Sequence, residues 1–104
     1  MQSITVQEVK ERLARGEKLN ILDVREPDEY AEFNIGGKLM PLGVIQNMDV
    51  EDIEPWKEEE VIVHCRSGKR SATACMILES LGFVNTKNLE GGVLSWQEAG
   101  HSAK

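Results

Sequence analysis

The stretch Glu60-Val61-Ile62-Val63-His64 constrains this chain more than any other. Three adjacent β-branched residues without polar alternation describe a strand buried on both faces, as in a parallel sheet. The flanking sequence agrees, because it alternates strands with helices. Residues 3–5 make a short extended start. Thr5 and Glu8 form an S/T-x-x-E capping box, followed at helical spacing by Val6, Val9 and Leu13, so a helix should run to about Arg15 and stop at Gly16. Residues 19–24 read as a strand. Pro27 suits the first position of a short acidic helix through Asp28, Glu29 and Tyr30. Gly36-Gly37 turns the chain into an edge strand over 38–40, closed by Pro41. Residues 50–56 read as a short helix and 69–81 as the longest one, stopped by Gly82. A last strand over 86–89, a turn at Gly91-Gly92 and a helix over 93–99 complete the order. This pattern predicts an α/β fold: an open, mostly parallel sheet with helices on both faces. At 104 residues with no linker, repeat or low-complexity segment, a single domain over 1–104 is expected.

Composition narrows the class. Hydrophobic residues are 40% of the chain and charged residues 29%, enough to bury a core and stay soluble. The longest apolar run is five residues, 74–78, against the roughly 20 that a membrane helix needs. The N-terminus has neither a basic patch nor an apolar stretch, so no secretory signal is expected. A net charge of −6 argues against nucleic acid or an anionic membrane as partner. Two cysteines, Cys65 and Cys75, fit a reduced, cytoplasmic protein better than a disulfide scaffold. With His64 and His101 they make a poor zinc set, because His64 and Cys65 are neighbours on one strand end and their side chains diverge. No metal is expected.

The chemistry concentrates after the central strand. In open α/β sheets, ligands bind beyond the carboxyl ends of the strands, and there the chain reads Cys65-Arg66-Ser67-Gly68-Lys69-Arg70-Ser71. A tight loop ahead of a helix aims backbone N–H groups inward, and Gly68 permits the conformation that such a cradle requires. The helix N-terminus adds its positive end. Arg66, Lys69 and Arg70 reverse the sign of an otherwise acidic chain. Together these should favour thiolate at Cys65. A structural cysteine beside a solvated basic face leaves that coincidence of strand end, glycine and charge unexplained.

The segment resembles the active-site loop of the rhodanese family of sulfurtransferases, C-x-x-G-x-R-S. Residues 21–26 followed by Glu29-Tyr30 are similar to the family's D-V-R-E…E-Y. Pro41-Leu42 falls where its I-P-L does, and Glu90-Gly91-Gly92 with Trp96 resembles its G-G-x-x-x-W. The resemblance spans essentially the whole chain. It implies a three-layer fold with a five-stranded sheet, and transfer of sulfane sulfur through a persulfide on Cys65. The donor would be thiosulfate or another small anionic sulfur donor; the acceptor, a thiol or protein cysteine. No cofactor is implied, and a monomer is expected. Arg66, Ser67, Gly68, Lys69, Arg70 and Ser71 would hold the substrate, with Arg66 and Lys69 recognising the donor. Asp23, Arg25, Glu90 and Gly91 would support the loop. Arg70 either binds donor or pairs with an acid such as Asp23 or Glu90, and Asp23 is placed to orient the loop through its amides or Arg70. One segment departs from the family: where G-H-I-x-G-A is usual, this chain has Phe33-Asn34-Ile35-Gly36-Gly37-Lys38, which points to a local change at the edge strand.

The remaining residues read as structural. Cys75 lies about 9 Å along the helix from Lys69 by helix rise, too far for a strain-free disulfide to Cys65; it is core, or at most a resolving thiol. His64 is expected to be a hydrogen-bonded core residue, Trp56 and Trp96 helix-to-sheet packing, and Glu58-Glu59-Glu60 a solvated loop. Two other classes compete with the sulfurtransferase. A phosphatase or arsenate reductase would use a C-x5-R loop, but only four residues separate Cys65 from Arg70, a ring better sized for sulfur. A non-catalytic sulfur-carrier or binding module is disfavoured by the cysteine itself.

Overall fold

In the computed structural model, which describes residues 1–100, β4 (Glu60–His64) is the central strand of five. On one side it pairs with β5 (Asn85–Leu89), which in turn pairs with the edge strand β1 (Gln2–Ile4). On the other it pairs with β2 (Ile21–Asp23), which carries the edge strand β3 (Lys38–Leu39). All four pairings are parallel, so the expectation of a mostly parallel sheet is met in full. His101, named above among metal ligands, lies outside the described residues.

Side-chain alternation on β4 builds two cores. Val61, Val63 and Cys65 face one way, against α3 (Leu42–Gln46), a 3-10 turn (Glu51–Trp56) and α4 (Lys69–Ser80). Ile62 faces the other, with Ile21 and Leu89, against α1 (Val6–Ala14) and α5 (Gly92–Glu98). Val61, Ile62 and Val63 are at most 1% exposed, and full burial of each such side chain contributes about 1.5–3 kcal/mol. On α4 the buried residues are Ser71, Ala74, Cys75 and Leu78, one stripe at helical spacing. The Thr5 side chain caps α1 as its sequence indicates, accepting from the Glu8 N–H at 3.1 Å. Trp96 sits in the second core and the half-buried Trp56 packs on the first, both as expected.

Four features depart from the sequence reading. Residues 42–46 form α3, where no element was expected. Gly43 and the β-branched Val44 and Ile45 weaken its local signal, but Ile45 is fully buried in the first core, and that burial decides the matter. The turn over Glu51–Trp56 is a 3-10 helix, with Pro55 inside it. The strand expected over 19–24 is regular only over Ile21–Asp23, although the Val24 N–H still donates to the His64 carbonyl. Glu60 is not a solvated residue: it accepts from Arg12 at 2.7 and 3.0 Å and from Lys87 at 2.6 Å.

At the edge strand the departing segment is tightly held. A Cβ at Gly37 would lie 2.8 Å from the Ile21 side chain and carbonyl, so this position requires glycine. The Tyr30 hydroxyl of α2 (Pro27–Glu32) donates to the Gly37 carbonyl at 2.7 Å.

Candidate active site

Cys65 follows β4 directly, at the carboxyl end of the central strand, and is 1% exposed. The chain then turns sharply: Gly68 has φ +111°, the left-handed region that favours glycine, and α4 begins at the next residue. That turn brings two N–H donors and a hydroxyl to the sulfur. The Gly68 N–H lies 3.1 Å from Cys65 Sγ, the Ser71 N–H 3.4 Å, and the Ser71 hydroxyl 3.4 Å. Burial by itself pushes the Cys65 thiol up. The Ser71 hydroxyl and the N–H groups of Ser71, Gly68 and Ser67 outweigh burial and hold it below the ordinary thiol range. Cys75 has no such cradle. It is fully buried in the first core, where burial pushes it up to about 11.

The back of the loop is tied to α5. The N–H groups of Val93 and Leu94 donate to the carbonyls of Cys65 and Arg66, each at 3.0 Å. This occupies two loop carbonyls from behind while the amides face the sulfur. The approach is close enough to need glycine. A Cβ on Gly92 would fall 2.4 Å from the Cys65 carbonyl oxygen and 2.7 Å from that of Arg66. Gly91, expected as loop support, opens this helix with φ +72°. Glu90 is exposed, and its N–H donates to the Ile4 carbonyl rather than to the loop.

The charged residues divide into two groups. Arg66, Ser67 and Lys69 are exposed around the mouth of the loop. Arg70 pairs with neither Asp23 nor Glu90. It makes a two-pronged ion pair with Glu29 of α2, at 2.7 and 2.9 Å, which holds the Glu29 carboxyl down at about 2. Asp23 does not bond the loop amides or Arg70. It is fully buried against Arg25, whose Nε and Nη2 donate to it at 3.0 and 2.8 Å, while Nη2 also reaches the Phe33 carbonyl at 2.6 Å. Arg25 thereby ties β2 to the end of α2. Beside it a cleft of about 180 Å³ is lined by Arg66, Glu32, Phe33 and Leu94, among others.

His64 differs from expectation. It is fully buried, its ring nitrogens have no hydrogen-bond partner, and Nε2 stands 3.7 Å from Asp23 Oδ2. Burial pushes its pKa down, so the ring is neutral. Three residues of the site escaped sequence reasoning. Glu29 and Gly92 lay inside recognisable motifs without an assigned role. Asn88, at the end of β5, accepts from the Ser71 hydroxyl at 2.5 Å and donates to the Gly68 carbonyl at 3.2 Å; its only signal was a polar residue beside buried Leu89.

Comparison with known proteins gives one answer. Residues 5–99 match the family model described as Rhodanese-like domain. A protein of Allochromatium vinosum named sulfurtransferase is 34% identical over 98 residues, covering 93% of this chain and 89% of that protein. Among solved structures, a rhodanese-like domain protein from Staphylococcus aureus is similar, with a TM-score of 0.82 and 33% identity over 100% of this chain and 99% of its own. The rhodanese-like domain of an Anabaena protein superposes at 0.87 with 26% identity, covering 100% of this chain and 79% of that one.

Proposed function

This chain belongs to the rhodanese-like domain family, and from that premise we propose that it moves sulfane sulfur from thiosulfate or a persulfide donor to a thiophilic acceptor through a Cys65 persulfide. The observation that carries the reading is the convergence of the Gly68 and Ser71 N–H groups on one sulfur, with the Ser71 hydroxyl beside it. Such donors stabilise negative charge wherever it sits on that atom. In the first step the Cys65 thiolate attacks the outer sulfur of thiosulfate. A Cys65 S–S bond forms, the donor's S–S bond breaks, and its electron pair leaves with sulfite. In the second step an acceptor thiolate, or cyanide, attacks the terminal sulfur and the electron pair returns to Cys65. No cofactor is required by this chemistry. Arg66 and Lys69, exposed at the mouth of the loop, are placed to attract an anionic donor.

The phosphatase reading is weaker on two counts. Four residues between Cys65 and Arg70 make a smaller ring than C-x5-R, and the Arg70 guanidinium is already taken by Glu29. Two free thiols suit a reducing compartment such as the cytoplasm, and no helix among the described residues is long and apolar enough to cross a membrane.

Intact-mass measurement after incubation with thiosulfate tests the reading. A gain of one sulfur atom is expected, removed by cyanide and absent from Cys65→Ser. No gain, or a gain that survives Cys65→Ser, overturns it.

A further inference from the structure

Ser71 has one hydroxyl hydrogen and two neighbours that want it. Cys65 Sγ lies 3.4 Å from Oγ, and Asn88 Oδ1 lies 2.5 Å away. The orientation of the Asn88 amide is settled by its other end, where Nδ2 donates to the Gly68 carbonyl at 3.2 Å. Turned over, the amide would set its oxygen against that carbonyl, an oxygen-to-oxygen contact with no hydrogen between them. Oδ1 therefore faces Ser71, and it can only accept. While Ser71 gives its hydrogen to Asn88, only the lone pairs of Oγ face the sulfur. That arrangement suits a thiol, whose S–H donates to Ser71. It does not suit a thiolate, which needs the hydrogen itself.

We infer that Asn88 is a positioning residue that competes with the Cys65 sulfur for the Ser71 hydroxyl hydrogen, and so restrains formation of the thiolate. When Cys65 ionises, its proton goes to solvent, because a carboxamide is no base. The Ser71 hydroxyl then rotates from Asn88 Oδ1 to Sγ, and Asn88 is left holding Gly68 alone. One short strand residue thus acts on the nucleophile in two opposed ways. Through Gly68 it shapes the cradle that favours the thiolate; through Ser71 it withholds one of that cradle's donors.

The other charged and titratable groups around the sulfur are the same in all the variants compared. They are the cations Arg66, Lys69 and Arg70, the last paired with Glu29; the Asp23–Arg25 pair and the neutral His64 on the strand side; Cys75 on α4; and Glu90 before α5.

The inference rests on Cys65 being the working nucleophile, but its test does not need sulfur transfer. In a Cys75→Ala background, the rate of Cys65 alkylation by iodoacetamide is followed from pH 5 to 9 for the parent, Asn88→Ala, Ser71→Ala and the double variant. Competition predicts that Asn88→Ala, relative to the same substitution made in Ser71→Ala, speeds alkylation roughly three- to tenfold at the acid end, since ionising Cys65 no longer breaks the Ser71–Asn88 hydrogen bond. Ser71→Ala should be slower than the parent, and the double variant no faster than Ser71→Ala. A merely structural Asn88 acts through Gly68 alone and changes alkylation by the same factor with or without Ser71. An Asn88→Ala effect that is the same with and without Ser71, or more unfavourable with Ser71 present, overturns the inference. If Asn88→Ala does not fold, Asn88→Asp substitutes a stronger acceptor of the same shape. It should slow alkylation more with Ser71 present than with Ser71→Ala, and an equal slowing in both backgrounds overturns the inference as well. Absence of a persulfide in the mass experiment would refute the sulfurtransferase reading while leaving this titration interpretable.

Discussion

Gly92→Ala separates a backbone that merely tolerates glycine from one that depends on it. Gly92 has φ +56°, and a non-glycine residue in the left-handed region costs about 1–2 kcal/mol. A Cβ there also lands 2.4 Å from the Cys65 carbonyl oxygen and 2.7 Å from the Arg66 one. Both are backbone atoms of a loop pinned by the Val93 and Leu94 N–H groups at 3.0 Å, so neither can swing away as a side-chain tip would. Forcing atoms into a packed site typically costs a further 1–3 kcal/mol. The total, about 2–5 kcal/mol, is a large part of the 5–15 kcal/mol usual for a domain. Gly16→Ala is the control: its φ is +86° but nothing lies within 4 Å of the added carbon, leaving about 1–2 kcal/mol. Urea unfolding of both variants gives the difference. Alkylation of Cys65 in the folded Gly92→Ala protein reports the loop, and should slow as the Gly68 and Ser71 amides shift off the sulfur. If Gly92→Ala costs no more than Gly16→Ala and Cys65 reacts as before, the tie between α5 and the loop does not hold the cradle.

The other predictions are more direct. Cys65→Ser should abolish thiosulfate-dependent transfer with the fold intact by circular dichroism, whereas Cys75→Ser should spare transfer; a dead Cys75 variant would reverse the roles. Neutralising Arg66 or Lys69 should weaken use of anionic donors more than neutral ones, by less than the 1.5–3 kcal/mol of a buried charge-assisted bond, because both are exposed; equal losses on both donor types would mean that these residues support structure. Glu29→Gln should cost about 1 kcal/mol or less at neutral pH, as the Glu29–Arg70 pair is partly solvated. The folded Glu29 carboxyl is depressed from 4.5 to about 2, so its contribution is present above pH 4.5 and fades as pH falls toward 2. Parent and Glu29→Gln unfolding curves should therefore converge in acid, and a gap that stays constant from pH 6 to 2 would count against the ion pair.

Much of the architecture was legible because its signals are local. Val61-Ile62-Val63 announces a strand buried on both faces, whatever surrounds it. Thr5 caps α1 with its own hydroxyl, which accepts from the Glu8 N–H. The Cys65–Ser71 loop carries its cysteine, its glycine and its cations within seven residues, so a tight turn with N–H groups aimed at the sulfur could be expected without knowing what packs behind it. By contrast α3 was silent, since Gly43 and Val44 give no helical preference and only the burial of Ile45 against the sheet holds that turn in place.

What the tertiary structure alone decided is who meets whom. Arg70 could have paired with several acids; the choice of Glu29, 41 residues away, follows from where α2 lies beside the start of α4. Asp23 is taken by Arg25, two residues on, and both side chains are buried where an unpaired charge would be costly. Asn88 reaches Ser71 and Gly68 only because β5 pairs in parallel with β4 and ends level with the loop. His64 shows the same limit in reverse: a polar residue at a buried strand end suggested a hydrogen bond, and the packing around it supplies none. A sequence encodes the preference of each segment for a shape, whereas pairing between distant side chains depends on strand order and register, which are settled only when the whole core is buried at once.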